Sequence, residues 1–252
     1  MKRIGRFLFS LYLWTVVAAL TVFFSSLIVL SFPLALFDRD RRLAHKLGIF
    51  WGMSLVKANP FWRVARVGLN KIRKDESYVI VANHVSLSDI ICLFNLNHQF
   101  RWLAKKSLFQ IPFLGWSMGV MGYVPLERGQ HGSIKKSYRD SLDWLRRNIS
   151  ILIFPEGTRS RSGEMGHFKT GAFRLALESQ RPVLPIVLAG TQNVISKGRV
   201  AFGGPSLAYL SVLPPIETKG LRSDDEAMLK KKVETVMRAE LEKRNRMIAR
   251  IS

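Results

Sequence analysis

Two residues five positions apart set the first question. His84 and Asp89 stand in the run Asn83-His84-Val85-Ser86-Leu87-Ser88-Asp89. An imidazole held at one nitrogen by a carboxylate keeps its other nitrogen free as a base, and such a pair suits removal of a proton from a hydroxyl. Five extended residues would separate the two Cα atoms by about 17 Å, so the pair requires a chain reversal between them. Further groups of reactive type follow at Lys105, at Arg128 and in the run Glu156-Gly157-Thr158-Arg159. The five histidines show no zinc-site spacing, and no metal is expected. Cys92 is the one cysteine, which excludes an internal disulfide; it reads as a buried structural thiol.

The elements around these residues place them. Residues 78–82 are short, apolar and partly β-branched, and read as a buried strand that delivers His84 at its carboxyl end. Residues 87–96 read as a helix, with Ser86 or Ser88 as N-cap and Asp89 near its first turn. Residues 100–104 read as a strand ending at Lys105, and 121–126 as a strand running into Arg128. Ser133 is read as the cap of a helix with Ile134, Tyr138, Leu142 and Leu145 on one face. Residues 150–154 form the strand before Glu156, residues 168–177 a short helix, and 183–188 a strand whose Pro185 predicts a kink or an edge position. One or two short strands fall within 199–213, and Ser223 with Glu226 reads as a capping box opening a long helix. This alternation predicts an α/β fold, a mostly parallel sheet covered by helices, with the site at the carboxyl ends of its strands.

The chain of 252 residues has a net charge of +21. Residues 1–74 hold 13 Lys or Arg against 2 Asp or Glu, and residues 75–252 hold 26 against 16. The charge is densest beside the most apolar part of the chain, which favours an anionic membrane surface over nucleic acid as partner. Residues 7–37 carry no charge and would make a helix about 46 Å long, more than the roughly 30 Å of a hydrocarbon core. Both flanks of this run are basic. Two arrangements stay open: a tilted span, or a bent helix that returns to the same leaflet, broken at Ser25-Ser26 or at Pro33. Residues 43–74 mix apolar and cationic side chains and read as interfacial helices. The expected division is therefore a membrane-associated helical segment over 1–74 and an α/β catalytic domain over 75–252.

Together these stretches resemble the glycerol-phosphate acyltransferase family. The family's histidine and aspartate, five positions apart, are matched by His84 and Asp89; its glycine with an arginine six positions on is matched by Gly122 and Arg128. Its Phe-Pro-Glu-Gly-Thr-Arg-Ser motif stands complete at 154–160, and its proline within an apolar strand is matched by Pro185. The run Phe168-Lys169-Thr170-Gly171 is also similar to the family's. The resemblance implies transfer of a fatty acyl group from acyl-CoA or acyl-ACP (acyl carrier protein) to the sn-2 hydroxyl of 1-acyl-sn-glycerol-3-phosphate (lysophosphatidic acid), giving phosphatidic acid. It implies His84 and Asp89 as catalytic residues, with Arg128, Arg159 and Lys105 on the acceptor phosphate. Glu156, Gly157, Thr158 and Pro185 take supporting places. It implies direct transfer with no resident cofactor, at the cytoplasmic face of a bacterial inner membrane. Another lysolipid or a lipid amine as acceptor stays open. A non-enzymatic scaffold for anionic lipid would explain the charge and the apolar terminus, but not a His–Asp pair at a strand end.

Overall fold

The alternation of side chains along the central strands divides the interior into two cores. The computed structural model describes residues 3–160, 163–195 and 201–250. Among these, seven strands form one sheet: β1 (Trp62–Val67), β2 (Val79–Ala82), β3 (Phe100–Lys105), β4 (Val124–Leu126), β5 (Ser150–Ile153), β6 (Val183–Ala189) and β7 (Ser206–Val212), in the order β1-β7-β6-β2-β5-β3-β4. The five central and right-hand strands β6, β2, β5, β3 and β4 run parallel, β7 is antiparallel to β6, and β1 is parallel to β7. Ile80 and Ala82 of β2 face one core, shared with α1 (Arg3–Leu30), α2 (Arg42–Ala58), α3 (Ser88–Leu93) and α4 (Leu114–Val120). Val79 and Val81 face the other, shared with α5 (His131–Arg146), α6 (Gly171–Ser179) and α7 (Glu226–Ala249). Both faces of the sheet are thus covered, and all four residues of β2 are buried, as an apolar strand without polar alternation requires.

Several local expectations change. Residues 62–67, read within the helical anchor, form the edge strand β1, so the sheet begins before residue 75. The periodicity there, Trp62-Arg63-Val64-Ala65-Arg66-Val67, alternates as a half-covered edge strand does. Pro185 lies in the interior strand β6, not at a sheet edge, with Val81 as its partner on β2. It is tolerated because it falls in the gap between the Val183–Ile216 bridge and the start of the β7 ladder at Ile186; its carbonyl accepts from Leu213 N at 3.0 Å. The Ser133 hydroxyl does not cap α5, which starts at His131; it accepts from Glu127 N. The turn before α7 is closed by Asp225, whose carboxylate reaches back to Arg222 N, while Glu226 pairs with Arg174. The predicted strands of 199–213 reduce to β7, with residues 196–200 outside the described part.

The apolar N-terminal run forms α1, a short 3-10 turn (Phe32–Leu36) containing Pro33, and then α2 folded back along α1. Of the two break points considered, the helix ends ahead of Pro33, and Ser25-Ser26 stay helical. Trp51 Nε1 donates to Thr21 Oγ1 across the pair, and Ser10, Leu13, Ser25 and Ile28 are buried against the domain. The opposite side of α1 exposes Ile4, Phe7, Leu8, Leu11 and Tyr12.

The joint between α2 and the sheet is polar and buried. His45 is fully buried, with Tyr123 OH at its Nδ1 and His98 O at its Nε2, both at 3.2 Å. Arg101 is also fully buried, donating to Phe100 O and Asp40 O and lying over the Trp144 ring. Burial, helped by Arg101, holds His45 well below the usual imidazole range, and burial pushes His98 down to about 4. Both rings are therefore neutral in the fold but take protons when unfolded. Stability from them is complete above the unfolded histidine pKa of about 6.5 and is lost as pH falls toward their folded values, by about 1.4 kcal/mol per pH unit for each ring. Denaturant midpoints measured between pH 7 and pH 5 should fall, and His45→Gln should show a shallower fall than the wild type. An unchanged slope in the variant would remove His45 from the account.

Candidate active site

The carboxyl ends of β6, β2, β5, β3 and β4 stand side by side, and each delivers a residue of interest. His84 follows β2, Phe154 and Glu156 follow β5, Lys105 ends β3, Arg128 follows β4, and Thr191 follows β6. The turn after β2 brings His84 and Asp89 together, with Nδ1 to Oδ2 at 2.8 Å. The same oxygen accepts from Val85 N at 2.7 Å and Ser86 N at 2.8 Å, and Oδ1 accepts from the Thr191 hydroxyl. Asp89 is fully buried, whereas the His84 side chain keeps 14% exposure. A carboxylate only accepts, so Nδ1 carries the imidazole proton and Nε2 presents a lone pair. The ring is also clamped flat: it stacks on Phe154 with centroids 4.0 Å apart and planes 12° from parallel, and Phe154 in turn lies 5.5 Å from Trp102.

Of the two serines read as caps, Ser86 takes the first N–H of α3: its hydroxyl accepts from Ser88 N at 3.2 Å, while the carboxylate of Asp89 takes the N–H groups of Val85 and Ser86. Both hydroxyls also donate outward. Ser86 donates to Ile195 O and Ser88 to Thr191 O, both buried, so they fasten the turn to the segment after β6. Asn83 does the same one strand over, donating to Leu188 O and accepting from Leu188 N.

Glu156 braces the backbone. One oxygen accepts from His84 N at 2.8 Å and the other from Gly166 N at 2.9 Å. Burial raises its carboxyl above the usual range, and the two N–H groups work against that rise. His84 O accepts from Ser160 N at 2.8 Å, so the loop 154–160 holds His84 through both its N–H and its carbonyl. Gly157 has φ of +74°, and a side chain there would begin 3.2 Å from Lys169 Nζ, which lies across it. Gly122 has φ of +72° and abuts Trp144, which makes it a packing residue of the turn before β4.

The structure brings His84, Asp89 and Glu156 into one bonded cluster, with Arg159 on the same loop and partly buried. Lys105 and Arg128 are exposed at the ends of β3 and β4. Arg128 thus lies three strand spacings from β2, about 14 Å by ordinary sheet geometry. Thr158 is exposed, and Pro185 is buried inside β6. Cys92 is buried, and its thiol is pushed up by that burial. Among the described residues, no group of three His, Cys, Asp or Glu side chains is placed to hold a metal. Sequence reasoning missed Thr191 and Lys169 as site residues. The signal for Thr191 was its place just past the β6 end; for Lys169 it was its place in the run Phe168-Lys169-Thr170-Gly171.

A sequence model of the acyltransferase family matches residues 63–189. A 1-acyl-sn-glycerol-3-phosphate acyltransferase of Chlamydomonas reinhardtii is 35% identical over 207 residues, 80% of this chain and 61% of that protein. The chloroplastic LPAT1 of Arabidopsis thaliana, of the same name, is 35% identical over 68% of this chain and 49% of its own. The chain spans about half to three fifths of the length of these curated relatives. The crystal structure of the 1-acyl-sn-glycerophosphate (LPA) acyltransferase PlsC from Thermotoga maritima superposes with a TM-score of 0.82 at 30% identity, covering 97% of this chain and 98% of that one. The chain belongs to the acyltransferase family.

Removing the second hold on Asp89 should therefore be felt in acyl transfer. Thr191→Val strands Oδ1 in a buried site, which costs about 1.5–3 kcal/mol of stability, and kcat should fall by the share of that loss felt only in the transition state, at most roughly 100-fold. Thr191→Ser, which keeps the hydroxyl, should stay close to wild type. Asp89→Asn should cost on the order of 10⁴, by analogy with the carboxylate of a serine-protease triad. Steady-state thiol release measures all three, and a Thr191→Val protein as active as wild type would show that the contact is idle.

Proposed function

We propose that this chain transfers a fatty acyl group from a thioester donor, acyl-CoA or acyl carrier protein, to the sn-2 hydroxyl of 1-acyl-sn-glycerol-3-phosphate, giving phosphatidic acid. The observation that carries this reading is the His84 imidazole, oriented by a buried carboxylate and joined, through Ser160 N to His84 O, to the loop that carries Arg159. Nε2 of His84 takes the hydroxyl proton as the acceptor oxygen attacks the thioester carbonyl. Asp89 stabilises the imidazolium that results. Collapse of the tetrahedral adduct breaks the C–S bond, and the imidazolium returns the proton to the departing thiolate. No enzyme nucleophile is needed. The hydroxyl of Ser86 is buried and committed to Ile195 O, and Cys92 is buried with a raised pKa, so neither is suited to attack.

Guanidinium groups meet phosphate bidentately, which suits Arg159 and Arg128 to the acceptor phosphate, with Lys105 between them on β3. Glu156 is anionic and holds backbone N–H groups; its role is to fix the loop that carries Arg159. Arg159 leaves the strand next to β2, whereas Arg128 leaves the third strand away. Arg159→Ala should accordingly raise the acceptor KM more than Arg128→Ala, by about 1.5–3 kcal/mol for a lost charged hydrogen bond. The donor KM should change little. Michaelis constants for both substrates test this, and a rise confined to the donor would move the arginines to the coenzyme phosphates.

The acceptor's acyl chain keeps it in a leaflet, and the exposed apolar side of α1 supplies a face that can enter one. We read α1 and α2 as an anchor on the cytoplasmic face of a bacterial inner membrane, with the basic residues around 39–74 against anionic headgroups. Because α1 also packs on the domain, the test is a point change on its outer side. Leu8→Asp with Leu11→Asp should weaken binding to anionic vesicles and lower activity on a long-chain acceptor held in a bilayer. Activity on a dispersed short-chain acceptor should persist. Equal losses on the two acceptors would count against the positioning role.

A further inference from the structure

Long uncharged runs are few in so basic a chain, and one of them lies beside the site. After residues 7–37, the longest run without Asp, Glu, Lys or Arg is 107–126. The comparable runs 182–196 and 200–216 carry the buried strands β6 and β7. Much of 107–120 is open instead: Ile111 is 44% exposed, Phe113 38% and Trp116 56%. The Phe113 and Trp116 rings pack on each other, with centroids 5.3 Å apart, and make one patch. A loose loop does not account for it. Gly115 is pressed against the Phe109 carbonyl, so closely that a side chain there would start 2.2 Å from its oxygen. Gly115 N donates to Ile111 O, and Ser117 N to Phe113 O. Phe113 itself takes φ of +60°, which residues other than glycine rarely adopt. The turn is therefore held in one shape, at a conformational cost, with its rings turned outward.

The inner side of the same turn ties it to the anchor and to the site. Ser117 Oγ, beside Trp116, accepts from Ser25 Oγ of α1 at 3.2 Å, and Leu108, Phe109 and Leu114 pack on the core shared with α1 and α2. The exposed rings therefore stand next to α1, a charge-free helix whose apolar surface is mostly open. The His84 ring lies on this face of the sheet too: it stacks on Phe154, which packs on the same core. The turn leaves the end of β3, two strand spacings or about 10 Å from β2. Water is a poor partner for a fixed pair of aromatic rings with an isoleucine near them. The boundary between headgroups and acyl chains is a good one, since it takes an apolar ring and its indole N–H together. We propose that Ile111, Phe113 and Trp116 form a second lipid-inserting element, which enters the same leaflet as α1 at the rim of the site. A single helix in the leaflet leaves the domain free to roll about the helix axis. A second contact on the side of the site fixes that angle and brings Nε2 of His84 to the depth of an acceptor hydroxyl held by its acyl chain. The inference rests on the membrane reading of α1 given above and adds where else the domain touches the leaflet.

The test reads lipid contact position by position on the full chain. Trp116→Cys, Leu8→Cys and Lys135→Cys are each labelled with a nitrobenzoxadiazole fluorophore and reconstituted into vesicles of phosphatidylcholine and phosphatidylglycerol, with or without a spin label on the lipid acyl chains. Cys92 is buried, so the introduced cysteine takes the label; wild type carried through the same labelling sets the background. Lys135 is exposed on α5, across the sheet from α1. The expected result is that spin-labelled lipid lowers emission at 116 and at 8 by roughly half or more, and at 135 by less than about a tenth. Quenching at 8 but not at 116 overturns the second contact and leaves the anchor standing; a second copy covering the rings would give this result. Quenching at neither overturns the inference and the membrane reading of α1 together. Equal quenching at all three positions overturns it as well, because the label then reports no particular face. In parallel, Ile111→Ser with Trp116→Ser should lose roughly three- to tenfold in kcat/KM on a long-chain acceptor held in a bilayer. The same variant should stay within about twofold of wild type on a dispersed short-chain acceptor, which also reports that it is folded. Equal losses on the two acceptors overturn the placing of His84 by this contact.

Discussion

Asp89 is a carboxylate with no access to solvent, and the geometry of the site follows from how that charge is satisfied. A buried carboxylate is costly unless its lone pairs meet donors. Here they meet four: the imidazole of His84, the N–H groups of Val85 and Ser86, and the hydroxyl of Thr191. Two of these come from the turn that reverses the chain between His84 and Asp89. The turn, the imidazole tautomer and the direction of the free nitrogen are therefore one arrangement. The fourth donor comes from the far side of β2, past β6, so the sheet order itself is part of what orients His84.

The same logic extends outward. Glu156 takes the N–H of His84 and that of Gly166, Ser160 N returns a bond to His84 O, and Asn83 closes onto β6 through Leu188. With its ring, peptide and neighbours all held, His84 is fixed in one orientation before any substrate arrives, and for the base we propose this is the condition under which positioning lowers a barrier. Meanwhile α1 has two duties on opposite sides. Ser10, Leu13, Ser25 and Ile28 bury one side against the domain, and the other remains apolar and open.

What the sequence disclosed depended on the range of the interaction. The His84–Asp89 pair, the parallel strands ending at His84, Lys105 and Glu156, and the buried Cys92 follow from local spacing and apolar periodicity. They are found where that spacing puts them. The serines were legible only in part: Ser86 Oγ accepts from the first N–H of α3, as a local cap would, but its donation to Ile195 O and that of Ser88 to Thr191 O are long-range and left no local signal. Pro185 pointed to an edge because its missing N–H is normally tolerated there, but a two-residue gap in the β7 ladder serves equally well inside the sheet. β1 was hidden by its cations, which belong to an edge strand as readily as to an interfacial helix. Thr191 and the buried Arg101 carry no local signal, since their partners lie across the fold.

The central claim is that His84 is the base of a direct acyl transfer. The most direct measurement is thiol release by folded His84→Ala protein and by wild type, each with and without lysophosphatidic acid, on a timescale that resolves the first turnover. The account predicts that wild type releases no burst of thiol until acceptor is added, and that His84→Ala loses on the order of 10²–10⁴ in acceptor-dependent release while keeping its fold. Near wild-type turnover by His84→Ala, or a stoichiometric acceptor-independent burst from wild type, would contradict it.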